Sequence, residues 1–198
     1  MGGLISLLQT AAAPDTVQGL VLIDPALPLP AQAPDWPVAS QFLLQALPGI
    51  GELYVRKARS RQSPQVAVMR LIELCFADPS RADPAMLTAS IALASQRLTT
   101  PARDESFLAA SRSLMRVTGH RRRYWEMMAG VRVPVLLIGG DADRLVPVAA
   151  VRQAGARNPR WDTVVLAGVG HTPQLEVPDV VAGAVRDWLD RHFTLSAR

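Results

Sequence analysis

The stretch from Val133 to Pro147, which reads VPVLLIGGDADRLVP, constrains the fold of this chain more than any other. It opens on β-branched and leucine side chains with no helical period, so it predicts a parallel strand buried on both faces. Gly139 and Gly140 then break the run and lead into two acids. In open α/β sheets, functional groups gather beyond the carboxyl ends of the strands. Asp141 and Asp143 therefore stand where a functional carboxylate is expected, and other segments must supply the sheet around them.

Those segments lie at both ends of the chain. Residues 1–13 have helix-forming composition and apolar spacing until Pro14-Asp15 stops them, and with no capping residue before the first turn they read as a helix already under way. Val17 to Asp24, VQGLVLID, is a second buried-strand candidate ending in an acid, and Trp161 to Ala167 is a third. Val148 to Ala156 reads as a helix. Pro178 to Phe193 reads as an amphipathic helix with Val181, Val185, Trp188 and Leu189 on one side. Strands that alternate with helices in this way imply right-handed parallel crossovers.

The middle of the chain has a different pattern. Closely spaced prolines from Pro28 to Pro37 exclude helix interior and central strand, which makes a connector. Helical periodicity follows in Phe42–Leu47, Val66–Phe76, Pro84–Leu98, Asp104–Val117 and Tyr124–Ala129, with no convincing strand among them. Ser63-Pro64 and Asp83-Pro84 are helix starts, because a capping side chain precedes a proline at the first helical position. The expected organisation is an α/β core from residues 1–30 and 131–198, with an all-helical insert at 31–130.

Composition narrows the function. An apolar fraction of 49% in 198 residues supports a packed core rather than disorder. No apolar run approaches the roughly 18 to 20 residues of a membrane span, and the amino end lacks the order of a secretory signal, so the expectation is a soluble, cytoplasmic protein with no membrane partner. Cys75 is the single cysteine and falls in a predicted helix, which rules out a disulfide framework or a multi-cysteine zinc site. No metal or cofactor is expected. The net charge of +4 is unevenly spread, since residues 31–132 hold fourteen Lys or Arg against eight Asp or Glu. Arg121, Arg122 and Arg123, and the group Arg56, Lys57, Arg59 and Arg61, have no recognition helix or aromatic platform beside them. They read as solvated helical faces, not as a nucleic-acid site.

Chemistry concentrates in two places. Asp143 and His171 each lie just past a predicted parallel strand, one helix and one strand apart, so neighbouring strands would bring them together at one sheet edge. An aspartate that accepts from one imidazole nitrogen fixes the tautomer and leaves the other nitrogen free as a general base. Such a pair requires a nucleophile. Asp141 reads as a turn-shaping acid and Asp24 as a turn or capping acid, with an alternative acid position open there. Glu176 reads as a structural acid near the last helix with Arg144 as a partner, and His120 and His192 as surface or helix-end residues. Trp36, Phe42, Trp125 and Met127 either line a pocket under the insert or pack in the core.

Gly140-Asp141-Ala142-Asp143-Arg144-Leu145-Val146-Pro147, followed by Gly168-Val169-Gly170-His171-Thr172-Pro173-Gln174-Leu175-Glu176-Val177-Pro178, resembles the acid and histidine segments of the α/β-hydrolase family, in the family's order. Met1-Gly2-Gly3-Leu4 resembles the residues just after the nucleophile in that family's Gly-x-Ser-Met-Gly-Gly elbow. The resemblance implies the carboxyl-terminal part of an α/β-hydrolase parallel sheet, with the helical insert as the family's cap. It also implies a Ser-His-Asp triad acting on an ester, lactone or carbon-carbon bond in a small molecule with an apolar portion, and no cofactor. In the family the nucleophile precedes the position of Met1, and the backbone N–H at that position serves the oxyanion hole. Here Met1 carries a terminal amine. Ser6 lies within a predicted helix, and the serines from Ser40 to Ser113 fall in the connector or cap. The expectation is therefore a chain truncated just after the nucleophile and inactive by itself. Met1-Gly2 favours serine over the family's aspartate-nucleophile branch. The competing expectation is a non-catalytic remnant or partner-binding domain, with self-association through an exposed sheet edge.

Overall fold

Among the described residues, three parallel strands in the order β1-β2-β3 form the sheet: β1 (Leu20–Ile23), β2 (Val135–Gly140) and β3 (Asp162–Leu166). The computed structural model describes residues 1–28, 40, 44, 47–59, 62–100 and 102–193. Trp36, Phe42 and nearly all of the proline-rich connector and the Phe42–Leu47 helix lie outside the described residues. The register pairs Leu20 with Val135 and Ile23 with Ile138 on one side of β2, and Leu136 with Asp162 and Gly140 with Leu166 on the other.

β2 is buried along its whole length, as its apolar run predicts, but it does not break at Gly139 and Gly140: both are paired to β3, opposite Val165 and Leu166, and are the last residues of the strand. The pleat sends Val135 and Leu137 to one face and Leu136 and Ile138 to the other. On the first face lie Leu4 and Leu7 of α1 (Gly2–Ala12) and Val151 and Ala154 of a helix from Val148 to Arg157. The second face is covered by Val181 and Trp188 of the last helix, Pro178–His192. Each fully buried aliphatic side chain contributes about 1.5–3 kcal/mol, so this two-sided burial holds β2 at the centre of the fold.

Among the described residues, five further α-helices lie between β1 and β2: α2 (Ile50–Arg59), α3 (Pro64–Cys75), α4 (Pro84–Arg97), α5 (Arg103–Gly119) and α6 (Arg121–Ala129). After β2 come α7 (Val148–Arg157), α8 (Pro173–Glu176) and α9 (Pro178–His192). Both foreseen caps form, with Val66 N donating to Ser63 Oγ at 3.3 Å and Met86 N donating to Asp83 Oδ1 at 2.8 Å. The inserted helices pack in two ways. Val68, Ile72 and Phe76 gather Met86, Leu87 and Ile91 into a small separate cluster between α3 and α4. Tyr124 and Met128 of α6 join the main core instead, and the Tyr124 hydroxyl donates to Ala26 O at 2.6 Å, tying α6 to the segment after β1.

Two features orient the sheet edge. A Cβ at Gly3 would lie 2.6 Å from the Cβ of Pro25, so the amino end of α1 sits against the segment that leaves β1, on the carboxyl side of the sheet. β1 pairs only with β2 among the described residues, and Ile5, Leu8 and Val21 beside it are exposed. Among the described residues no helix is long and apolar enough to cross a membrane.

Candidate active site

The loops that follow β2 and β3 are laced together before any functional side chain is placed. Asp141 N donates to Leu166 O at 2.9 Å and Ala142 N to Val169 O at 3.0 Å. Gly168 N in turn donates to Asp141 Oδ1 at 2.7 Å, so the turn-shaping acid expected at 141 spans both loops. Glycine is required at 140 because a Cβ there would overlap the carbonyl oxygens of Val169 and Gly170.

This lacing brings Asp143 to His171. The Asp143 side chain is fully enclosed, and its Oδ1 accepts from Leu145 N at 2.6 Å and Val146 N at 3.0 Å. Its Oδ2 lies 2.8 Å from His171 Nδ1. The imidazole is one-quarter exposed, so it has an enclosed side toward the acid and an accessible side. With Nδ1–H engaged by a carboxylate, Nε2 is left with a lone pair and can act as a base.

His171 is also held from the insert. Its backbone N–H donates to Cys75 O at 2.6 Å, so Cys75, the last residue of α3, is a direct neighbour of the histidine loop while it packs against the α3–α4 cluster. Burial, and then the nearby Asp143 charge, push the Cys75 thiol up from its usual range. A thiol held neutral in this way is a poor nucleophile.

Glu176 accounts for the approach of the insert to this loop. Its fully enclosed carboxylate accepts from Ala77 N (3.1 Å), Asp78 N (3.0 Å) and Gly170 N (2.8 Å), and from Arg81 Nη1 at 3.2 Å. Arg81 also donates to Gly168 O at 3.0 Å. The partner is thus Arg81, not the expected Arg144, whose guanidinium instead reaches Glu73 O at 3.5 Å. One carboxylate fastens the end of α3 to the histidine loop.

Asp24 stands at the end of β1 as expected, but it is not a surface turn acid. It is 4% exposed, its φ is +37°, and both its oxygens lie 3.3 Å from Gly140 N. Burial, reinforced by the neighbouring Asp143, pushes its carboxyl up to about 9. An oxygen of Asp24, an oxygen of Asp143 and a nitrogen of His171 lie within 4.8 Å of one another. The 2.8 Å hydrogen bond between Asp143 Oδ2 and His171 Nδ1 already joins two of these side chains and favours a proton as the occupant. The strand register could have revealed this residue, because Ile23 pairs with Ile138 and the next step sets Asp24 beside Gly139.

The remaining candidates have contacts of their own. Met1 precedes α1 and its carbonyl accepts from Leu4 N at 3.0 Å. Ser6 Oγ donates to Gly2 O, and Ser95 Oγ to Ile91 O, each along its own helix. His120 joins α5 to α6, and His192 Nε2 lies 2.7 Å from Asp162 Oδ2 at the far end of the sheet. Trp125 and Met127 pack against the core, with Arg157 4.9 Å over the Trp125 ring. Arg122 is exposed and pairs with Glu126 at 2.8 Å along one turn of α6.

A parallel α/β sheet with helices on both faces, carrying an acid and a histidine on the loops after adjacent strands, defines a hydrolase-type scaffold. A sequence profile of the Alpha/beta hydrolase family matches residues 1–184, and the chain belongs to that family. It is 30% identical over 190 residues to a pimeloyl-[acyl-carrier protein] methyl ester esterase from Xanthomonas oryzae pv. oryzae, a match that takes in 94% of this chain and 66% of the esterase. Its fold is similar to the 2-hydroxy-6-oxo-6-phenylhexa-2,4-dienoate hydrolase of Rhodococcus sp. strain RHA1 (TM-score 0.64, 19% identity, 96% of this chain and 61% of that one). A thermophilic esterase from Thermogutta terrifontis is comparable (TM-score 0.63, 20% identity, 96% of this chain and 62% of that one). The chain therefore spans less than two thirds of the length of each of these proteins.

Proposed function

We propose that this chain is the acid- and histidine-bearing part of a serine esterase, in which His171 activates a serine joined to the amino end of α1 and Asp143 orients the imidazole. The observation that carries the proposal is the 2.8 Å contact between Asp143 Oδ2 and His171 Nδ1 beyond two adjacent parallel strands. In this reading Nε2 removes the serine proton as the hydroxyl attacks the ester carbonyl, and Asp143 stabilises the imidazolium that forms. The proton then passes to the departing alcohol. Water activated by the same nitrogen hydrolyses the acyl-enzyme.

The backbone N–H of Met1, one residue after the serine, would donate to the developing oxyanion. The contact of Gly3 with Pro25 supports this, since it sets the amino end of α1 on the sheet edge that carries the pair. An ester as the bond broken is supported by the Xanthomonas relative, an esterase for a pimeloyl-[acyl-carrier protein] methyl ester. The apolar helical segment supports a substrate with an apolar portion. A form without that serine would be inactive.

The test is turnover of p-nitrophenyl acyl esters and of aliphatic methyl esters by the 198-residue chain, alone and extended by the residues encoded in frame upstream of Met1. The extended form should be active, with activity reduced by about 10⁴-fold or more in His171→Ala and Asp143→Asn. Turnover that survives His171→Ala would refute the proposal. A second reading, in which the chain binds a partner or a second copy without catalysing, draws on the open edge of β1 and the exposure of Ile5, Leu8 and Val21. Association in sizing experiments, together with no activity in the extended form, would favour it.

A further inference from the structure

The acid–histidine pair leaves one buried group at the site without a role. Asp24 is enclosed at the end of β1, and its neighbours are few. Its two oxygens share a single backbone donor, Gly140 N, at 3.3 Å each. Its backbone is held at φ +37°, in the left-handed region that side-chain-bearing residues rarely adopt. A Cβ at Gly139 would come within 3.2 Å of Asp24 Oδ1 and within 2.9 Å of both Val151 methyl groups, so the bare glycine is part of the Asp24 enclosure.

Asp143 is supplied differently. It has two backbone amides on Oδ1 and the imidazole on Oδ2, three donors in all. An oxygen of Asp24 and an oxygen of Asp143 lie within 4.8 Å of each other, both buried. Neither can donate to the other unless one carries a proton, and two adjacent buried carboxylates do not both ionise. The one with fewer donors is the one that takes the proton.

We propose that Asp24 is a protonated acid that donates its hydrogen to Asp143, and that this second hydrogen bond holds Asp143 in line with His171. Asp24 is then a positioning residue, the third member of a buried row Asp24–Asp143–His171. The role rests on Asp143 and His171 being the working pair, but its physical content does not depend on turnover. The raised Asp24 carboxyl is consistent with it. Among the described residues, the titratable groups around this point are Asp143 from the β2 loop, His171 from the β3 loop and Cys75 from the end of α3. Of these, Asp143 accepts a hydrogen from Asp24 in the proposed row.

Two measurements on the full chain test it, neither of which needs a nucleophile. In infrared difference spectra at neutral pH, the wild type should show a protonated carboxylic acid C=O band that is absent in Asp24→Asn. No such band, or a band that persists in Asp24→Asn, overturns the proposal. In proton NMR, the hydrogen on His171 Nδ1 should exchange at an unchanged rate in Asp24→Asn, whose amide can still donate, and about tenfold faster in Asp24→Val, which cannot. Equal exchange in the two variants would mean that Asp24 only fills space. Loss of the infrared band on adding Zn²⁺ at neutral pH would mean that the three side chains hold a cation in preference to the proton, and would also overturn it. If the esterase reading fails while both measurements come out as expected, Asp24 still positions Asp143 in a protein of another function.

Discussion

Glu176 and Asp24 are buried to the same degree beyond the carboxyl ends of the strands, each 4% exposed, yet they meet opposite surroundings. Glu176 is ringed by donors: three backbone amides from two separate segments, and a guanidinium. Asp24 shares one amide between its two oxygens and faces a second carboxyl group. A buried carboxylate is tolerable only where hydrogen bonds replace water. The two sites therefore use the same chemical group differently, one as an anionic clasp between the insert and the histidine loop and the other as a proton-bearing brace. Either half of that contrast can be broken by experiment.

The largest effect is expected at the clasp. Glu176→Ala would leave Ala77 N, Asp78 N and Gly170 N buried without an acceptor, and would free the end of α3 from the histidine loop. A loss of about 3–5 kcal/mol in urea denaturation at neutral pH is expected, with Glu176→Gln recovering part of it through its amide oxygen. A loss under about 1 kcal/mol for Glu176→Ala would mean that water satisfies these amides and that the clasp is not structural.

The contrast also explains what the sequence could and could not disclose. β2, the Asp143 loop and the His171 loop are legible because their signals are local, an apolar run and an acid or histidine soon after a strand, although the two glycines end β2 from inside it rather than breaking it earlier. The Ser63 and Asp83 caps are legible for the same reason. Glu176 is legible as a structural acid but its partner is not, because Arg81 is 95 residues away and meets it only through the approach of the insert to the sheet. Asp24 reads as a turn acid because its burial comes from pairing with a strand more than a hundred residues later, and its protonation depends on a neighbour that only the β1–β2 register supplies. Local chemistry is written in sequence, whereas the environment of a buried charge is written in tertiary contacts.

The brace predicts a pH dependence of the opposite sense to that of most buried carboxylates. With its folded-state value raised to about 9 from an unfolded 3.8, Asp24 holds a proton in the native state that the unfolded chain has released between those two pH values. Unfolding then releases a proton, so stability falls as pH rises through that window. The contribution is fully present below the unfolded value and lost above the folded one. Its slope is at most about 1.4 kcal/mol per pH unit. Denaturation midpoints from pH 5 to 8 should decline in the wild type relative to Asp24→Asn, in which that group no longer titrates. Parallel profiles in the two proteins would mean that Asp24 is ionised like an ordinary acid.

The smallest effect separates the two kinds of donor at the clasp. Arg81 is 39% exposed on its side chain, and its ion pair with Glu176 at 3.2 Å is partly screened by solvent. Arg81→Ala removes that pair and the hydrogen bond to Gly168 O, but it leaves the three backbone amides on the carboxylate. If the amides are what make Glu176 tolerable, the cost should be about 1 kcal/mol or less and should shrink with added salt. A loss as large as that of Glu176→Ala would reverse the reading. The guanidinium would then be holding the buried charge, and Glu176 and Asp24 would differ by the presence of one arginine and not by the number of backbone donors around them.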